Sequence, residues 1–187
     1  PVVKVKERKL ALGGAANVAN NIVAIGAKCE LVAAVGDDHA GATLREMLRQ
    51  VRTETRSLVS VGRPTTTKTR VVARSQQLVR YDEEEDTDLD SNEIEKLLAS
   101  LKIALSEADA LVLEDYNKGV LVGPVIQNAI DWAKERGMPV VVRMVTLPPT
   151  CGSMVYDSPR MSLRMLRTTS RKSAPSKFRV TAGPEAT

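Results

Sequence analysis

Leu12-Gly13-Gly14-Ala15-Ala16-Asn17-Val18-Ala19 decides the fold. It joins an extended segment before it to a segment in which apolar residues recur at helical spacing. The glycines allow a turn that a Cβ would block, and the two small alanines leave room for a ligand. Asn17 places an amide at the start of the predicted helix, where unpaired backbone N–H groups point outward. This chemistry suits a polyhydroxylated or anionic ligand. A tight strand-to-helix turn without a ligand explains the same residues.

Strand and helix patterns alternate on both sides of this turn. Residues 2–12 alternate loosely and predict an edge strand, whereas 18–25 carry apolar residues at helical spacing. Residues 30–35 form a short apolar run typical of a buried parallel strand, and a second helix is predicted over 42–50. This order indicates a parallel sheet with helices on its faces.

The alternation is interrupted between about residues 56 and 81. Two runs rich in β-branched residues, 57–61 and 65–73, are separated by Pro64 and followed by a third run at 77–81. Such runs, with turn residues between them, predict an antiparallel excursion that stands off the main sheet.

The β/α alternation resumes after this excursion and stops at residue 142. We predict a helix with an apolar stripe at 94–105, a strand at 109–114, a helix at 125–133 and a last strand at 140–142. The sequence therefore predicts an α/β domain over residues 1–142. Residues 143–187 show neither period, and we interpret them as an irregular tail.

Charge is distributed unevenly between these two parts. Residues 143–187 carry eight Lys or Arg against two acidic residues, whereas residues 1–142 carry 19 basic and 21 acidic ones. The only aromatic residues in the tail are Tyr156 and Phe178, so it lacks the interleaved stacking residues of a single-strand binder. We therefore expect no nucleic-acid partner, with a basic-tailed nucleic-acid-binding protein as the weakest alternative.

Other classes are disfavoured by composition. No run approaches the roughly 18 apolar residues of a membrane helix, so we expect no membrane partner. Cys29, Cys151 and the single His39 have no metal-type or disulfide spacing, which favours a cytoplasmic protein without a bound metal. Pro1 in place of Met suggests that the sequence begins within a gene.

Three clusters of polar residues could carry chemistry besides the glycine turn. Asp37 and Asp38 follow a buried strand, where they could bind sugar hydroxyls or cap the next helix. Lys68 and Arg70 lie two apart on a predicted strand and therefore face one side. With Arg74 or Arg80 they could hold a phosphate, although a solvated strand face explains them equally well.

The third cluster is Glu114-Asp115-Tyr116-Asn117-Lys118-Gly119, at the end of another buried strand. A simple turn needs no glutamate, aspartate and lysine together, so we favour a functional role for Asp115 and Lys118. No Walker-type glycine-lysine loop occurs, and the glycine turn does not match the dinucleotide pattern G-x-G-x-x-G.

Taken together, these motifs resemble the ribokinase-like (PfkB) sugar kinases. The matching segments lie in order: 13–19 (GGAANVA), 35–38 (VGDD), 62–70 (GRPTTTKTR), 76–80 (QQLVR) and 115–119 (DYNKG). The glycine turn is shared across that superfamily. Two of the other segments are more specific: TTTK, within 62–70, and QQL, within 76–80, resemble the branch that phosphorylates heptose 7-phosphate.

This resemblance implies a ribokinase-like αβα sandwich, Rossmann-like and mostly parallel, with a small antiparallel β lid at about 56–81. It also implies ATP and Mg²⁺, and transfer of the γ-phosphoryl group to O1 of D-glycero-β-D-manno-heptose 7-phosphate in ADP-heptose synthesis. The implied sugar contacts are Gly13, Gly14 and Asn17, and the implied phosphate residues are Lys68, Arg70 and Arg80. Asp115 and Lys118 would lie at the active edge of the sheet. A homodimer through the lid is a further implication.

The chain departs from the family pattern in two respects. No strand carrying a sugar-binding aspartate precedes the glycine turn, and the family's Gly-Ala-Gly-Asp motif with the catalytic aspartate is absent. We therefore assign no catalytic residue and no metal ligand, and we expect a partial domain with little or no kinase activity. A non-catalytic sugar-phosphate binding module is the alternative.

The family pattern stops abruptly at Arg143. A back-translation read from the third base of each codon permits Thr-Pro-Asn-x-x-Glu, which resembles the family's Mg²⁺-associated motif. We interpret residues 143–187 as a frameshifted translation, with a disordered tail as the alternative.

Overall fold

The computed structural model describes residues 4–74, 76–144 and 177–182. Its helices are α1 (Gly14–Ala24), α2 (His39–Gln50), α3 (Ser91–Ser106) and α4 (Gly123–Glu135). Its strands are β1 (Lys28–Gly36), β2 (Leu58–Val61), β3 (Thr67–Ala73), β4 (Gln76–Glu83), β5 (Ala110–Asp115), β6 (Val140–Met144) and β7 (Lys177–Ala182). None of the helices in these residues is long and apolar enough to cross a membrane.

The main sheet has five strands in the order β2-β1-β7-β5-β6, and every neighbouring pair is parallel. Strands β3 and β4 form a separate antiparallel ribbon. This arrangement confirms the predicted α/β class, the parallel sheet and the small antiparallel lid.

Helices cover both faces of the sheet because β1 alternates its apolar side chains between two cores. Leu31 and Val35 pack against α1 and α2, whereas Val32 and Ala34 pack against α3 and α4. All four side chains are almost fully buried. Burying one Leu or Val side chain contributes about 1.5–3 kcal/mol, so β1 helps to hold both layers of the sandwich together.

Three details of the predicted strands are wrong. Residues 57–61 belong to the main sheet as β2, not to the excursion, because Leu58, Val59 and Val61 are buried in its cores. Residues 4–12 form no strand and are almost all exposed. The expectation of no regular structure after Val142 fails at both ends of the tail, since β6 continues to Met144 and β7 pairs with β1 and β5.

The carboxyl ends of the parallel strands define one edge of the molecule. Strand β1 ends there at Gly36, β5 at Asp115 and β6 at Met144. The lid leaves the sheet at this same edge, because β2 ends at Val61 and β3 begins at Thr67. Open α/β sheets bind their ligands at this edge, so the fold brings the predicted polar clusters to a plausible site.

Candidate functional site

The glycine turn forms the start of α1. Gly13 is the N-cap residue and its carbonyl accepts from the Asn17 N–H at 3.1 Å. Gly14 has φ +49°, a left-handed conformation that explains the second glycine. No side chain caps the helix, and Asn17 is exposed, so polar groups of this turn face outward. Ala15 and Ala16 are buried in the core, which places them beneath the turn instead of on its surface.

Asp38 joins the end of β1 to the base of the lid. Its Oδ1 accepts from the Gly41 N–H at 2.7 Å, which caps α2, and its Oδ2 accepts from the Thr65 N–H at 2.7 Å. The Thr65 hydroxyl in turn accepts from the Gly36 N–H at 3.0 Å. A Cβ on Gly36 would lie 2.7 Å from the Thr65 nitrogen, so the glycine permits this close approach.

These hydrogen bonds affect the Asp38 carboxyl. Desolvation alone would raise its pKa, but the backbone N–H groups of Thr65 and Gly41 hold the pKa below its usual value. Of the two roles that the sequence left open for Asp38, the structure shows helix capping. The neighbouring Asp37 is exposed to solvent.

The lid carries its cations on one face of the β3–β4 ribbon. Lys68 lies opposite Asp82 in the antiparallel register, and Arg70 lies opposite Arg80. Arg80 donates to both oxygens of Asp82, at 2.8 and 2.6 Å, and Lys68 contacts Asp82 at 3.2 Å. The Arg80 guanidinium, with help from Lys68, lowers the pKa of Asp82 to about 2. Arg70 is exposed.

The turn after β5 is held by its own backbone and by the chain that leaves the lid. Asp115 Oδ1 accepts from the Asn117 N–H at 2.7 Å, and Asn117 has φ +54°. Gly119 has φ +65°, and a Cβ there would collide with the backbone of Thr87. Asp115 thus shapes the turn through its backbone contact. Lys118, in the same turn, extends its side chain toward the end of the lid.

Glu84 brings the lid and this turn together. Its Oε1 accepts from Lys118 Nζ at 2.9 Å, and its Oε2 accepts from Lys68 Nζ at 2.9 Å. Both lysine side chains are largely shielded from solvent, at 7% and 15% exposure. The hydrogen bonds from Lys118 and Lys68 lower the pKa of the Glu84 carboxyl.

The structure therefore groups only part of the predicted site. Lys68, Arg80 and Lys118 share one charged network, which we call the lid cluster, together with Asp82 and Glu84. The backbone N–H of Asn17 donates to the Gly13 carbonyl within the glycine turn itself, whereas the lid cluster is held together by its own ion pairs. The binding roles of all eight predicted residues stay predictions.

Two acidic members of the lid cluster were missed from sequence. The run 83–90 indicates a solvated loop, and nothing in its composition distinguishes Glu84 from its neighbours. A signal does exist for Asp82, because in a ribbon with a turn near residue 75 it lies opposite Lys68.

A second charged group missed from sequence lies beside the Asp115 turn. The buried Glu114 accepts from Arg143 at 3.0 Å, and Arg143 also donates to the Tyr116 hydroxyl at 2.9 Å. These contacts raise the pKa of Arg143, with Glu114 the larger influence. Arg143 thereby compensates a carboxylate buried at the carboxyl edge of the sheet.

Over residues 4–74, 76–144 and 177–182, no group of three His, Cys, Asp or Glu side chains is placed to hold a metal ion. The lid cluster offers two lysines and an arginine as charged hydrogen-bond donors, a donor set that suits an anion.

Comparison with known proteins matches the chain to one family of kinases. The profile described as pfkB family carbohydrate kinase matches residues 1–155. Bifunctional protein HldE of Rhodospirillum rubrum is 39% identical over 143 residues, which cover 76% of this chain and 29% of that protein. Bifunctional protein HldE of Caulobacter vibrioides is 43% identical over 143 residues, with 76% and 29% covered. The chain thus spans less than a third of the length of these relatives.

A solved structure shares the fold. The protein described as "Crystal Structure of Sa239" superposes with a TM-score of 0.55 at 20% sequence identity. The match covers 79% of this chain and 48% of that one. At this identity the likeness concerns the arrangement of helices and strands alone.

Proposed function

Because the chain belongs to the pfkB family of carbohydrate kinases, we propose that it forms the sugar-phosphate-binding part of a heptose kinase. The kinase would transfer the γ-phosphoryl group of ATP to O1 of D-glycero-β-D-manno-heptose 7-phosphate, a step of ADP-heptose synthesis in the cytoplasm. The observation that carries the proposal is the lid cluster, in which Lys68 and Lys118 converge on one carboxylate. The choice of heptose rests on the motifs at 62–70 and 76–80.

Each part of the site has a distinct task in this proposal. Lys68 and Lys118, with Arg80 beside them, bind the 7-phosphate through charge-assisted hydrogen bonds. Asn17 and the backbone of the glycine turn bind the sugar hydroxyls. In this proposal the heptose binds at the carboxyl edge of the sheet, with its phosphate toward the lid cations and its hydroxyls toward the start of α1.

The chemistry of transfer needs groups that these residues do not supply. ATP would provide the phosphoryl group and Mg²⁺ would neutralise its charge, but the described residues include no metal cluster and the sequence has no Gly-Ala-Gly-Asp motif. We therefore propose that the 187 residues alone bind the sugar phosphate and transfer little or no phosphate. A dedicated, non-catalytic binding module is the second candidate, since Lys68 and Lys118 are sufficient to bind an anion without any transfer chemistry.

Calorimetry of the full chain with heptose 7-phosphate tests the proposal. We expect Lys68→Met and Lys118→Met each to weaken binding about tenfold or more, since each removes a charge-assisted hydrogen bond. Lys96→Met is the matched control, because Lys96 lies exposed on α3 away from the lid cluster. Unchanged affinity in both lid-cluster variants would contradict the proposed phosphate site.

Incubation with labelled ATP and heptose 7-phosphate tests the second half of the proposal. We expect binding of the sugar phosphate without labelled product. Turnover at the rate of a complete kinase would show that the chain contains its own transfer machinery and would overturn this part.

A further inference from the structure

The Glu84 carboxylate bridges two lysines that come from different parts of the molecule. One oxygen accepts from Lys68 Nζ and the other from Lys118 Nζ, both at 2.9 Å. A phosphate group that bound the same two lysines would present two oxygens in the same way, because a carboxylate and a phosphate offer similar pairs of acceptors. Glu84 therefore lies where the proposed ligand's phosphate would lie.

The charges of the lid cluster fit this exchange. With Glu84 in place, the cations Lys68, Arg80 and Lys118 face the two carboxylates of Asp82 and Glu84. Asp82 is held by both nitrogens of the Arg80 fork and stays within the ribbon. If Glu84 alone leaves, Lys68 and Lys118 lose a shared carboxylate, and a phosphate monoester, with a charge near −2 above its second pKa of about 6, would supply negative charge in its place.

The position of Glu84 in the chain also allows it to leave. It follows the last residue of β4, so its movement breaks no ladder hydrogen bond of the ribbon. Its side chain is 25% exposed, and its contact with Lys118 joins residues 34 apart in sequence. Release of that contact would uncouple the end of the lid from the turn after β5.

We propose that Glu84 is an internal competitor for the sugar-phosphate site: it closes the lid cluster in the free protein, and the ligand's phosphate must displace it from Lys68 and Lys118. This inference rests on the proposed function of those lysines. Glu84 thus sets the affinity and discriminates against weakly charged ligands, because only an anion that satisfies both lysines replaces it without loss.

Titration of heptose 7-phosphate into full-length variants tests the competition. Glu84→Gln keeps the size of the side chain but removes its charge, and we expect it to bind about fivefold more tightly than the wild type. Glu83→Gln is the matched control, since it makes the same charge change one residue away and Glu83 contacts the Thr67 hydroxyl. We expect its affinity to equal that of the wild type.

The outcomes separate this inference from the function on which it rests. If Lys68→Met abolishes binding but Glu84→Gln behaves like Glu83→Gln, the competition is overturned and the proposed site stands. If the wild type and Glu84→Gln both fail to bind, the proposed function falls, and the competition falls with it. Thermal unfolding checks that each variant is folded. If Glu84→Gln does not fold, Glu84→Asp takes its place, because an aspartate side chain is too short to reach both lysines. Failure of both to fold would assign Glu84 to stability and also overturn the proposal.

Discussion

Asp38 links α2 to the base of the lid at the carboxyl edge of the sheet. It caps α2 through Gly41 and holds the Thr65 N–H at the base of the lid, while Thr65 holds Gly36. One carboxylate therefore satisfies donors from two separate segments. Loss of its charge affects the helix and the attachment of the lid at once.

We expect Asp38→Asn to lower the free energy of unfolding by about 1–2 kcal/mol, because the amide keeps one acceptor oxygen for Gly41 but turns an NH₂ group toward the Thr65 N–H. Urea denaturation at neutral pH measures it, and Asp37→Asn is the control because Asp37 is exposed. The native pKa of Asp38 is lowered, so its contribution is complete above the unfolded pKa of about 4 and declines as the pH falls below it. A difference between wild type and Asp38→Asn that does not shrink on acidification would contradict this role.

Residue types alone could not assign roles at this edge. Asp37 and Asp38 are equivalent by composition, and they are distinguished by the backbone N–H groups of Gly41 and of Thr65, a residue 27 positions away, which bond Asp38. Glu84 likewise cannot be distinguished by residue type from the other acidic residues beside it in the sequence. Its function depends on which of several carboxylates reaches Lys118, and that is a property of tertiary structure.

At the scale of elements, the β3–β4 ribbon has two different faces. Lys68, Arg70, Arg80 and Asp82 share the charged face, while Val79 and Tyr81 alternate with them on the other. Val79 and Tyr81 are about half exposed, and every residue of β4 is exposed. A ribbon of this kind gains stability by covering its apolar face.

We propose that a second copy of the chain covers this face and that the protein is a homodimer through the lid. Sedimentation velocity is expected to show a dimer for the wild type and a monomer for Val79→Lys, which buries a charge in the contact. Gln127→Lys on α4 is the control, being remote from the ribbon. A monomeric wild type at high concentration would contradict the pairing.

Local patterns predicted the ribbon better than its neighbour β2. Strong β-branched content predicts a strand at 57–61 but does not indicate which sheet it joins. The structure assigns the strand to the main sheet, because Val59 and Val61 are buried in one core and Leu58 in the other. This burial depends on the packing of α2 and α3, which the local sequence does not show. The lid is therefore shorter than predicted.

At the scale of the whole molecule, β7 completes the sheet by pairing with β1 on one side and β5 on the other. A central parallel strand usually reads as a continuous apolar run, yet residues 177–182 alternate polar and apolar types as KFRVTA. The usual signal is absent, which explains why this strand could not be predicted from sequence.

Deletion of residues 177–187 tests the contribution of β7. We expect a loss of several kcal/mol in the free energy of unfolding, because β1 and β5 would lose their shared partner and expose unpaired N–H and C=O groups. Deletion of 183–187 alone is the control and should leave urea denaturation unchanged. Equal stability of the two truncated chains would contradict the central position of β7.

The frameshift interpretation of residues 143–187 stays a prediction, since residues 145–176 lie outside the described part of the chain. Sequencing the gene across codons 140–170 tests it. A single-base insertion or deletion near codon 143 is expected. Codons that exclude the shifted Thr-Pro-Asn-x-x-Glu motif would contradict it.

The central claim is that this chain binds a phosphorylated sugar through the lid cluster. Its most direct test is calorimetry of the 187-residue chain with D-glycero-β-D-manno-heptose 7-phosphate and with the same heptose lacking phosphate. We predict one bound sugar phosphate per chain and at least about tenfold weaker binding of the unphosphorylated sugar, because Lys68 and Lys118 would lose their charged partner. Equal affinity for the two sugars, or no binding of either, would contradict the account.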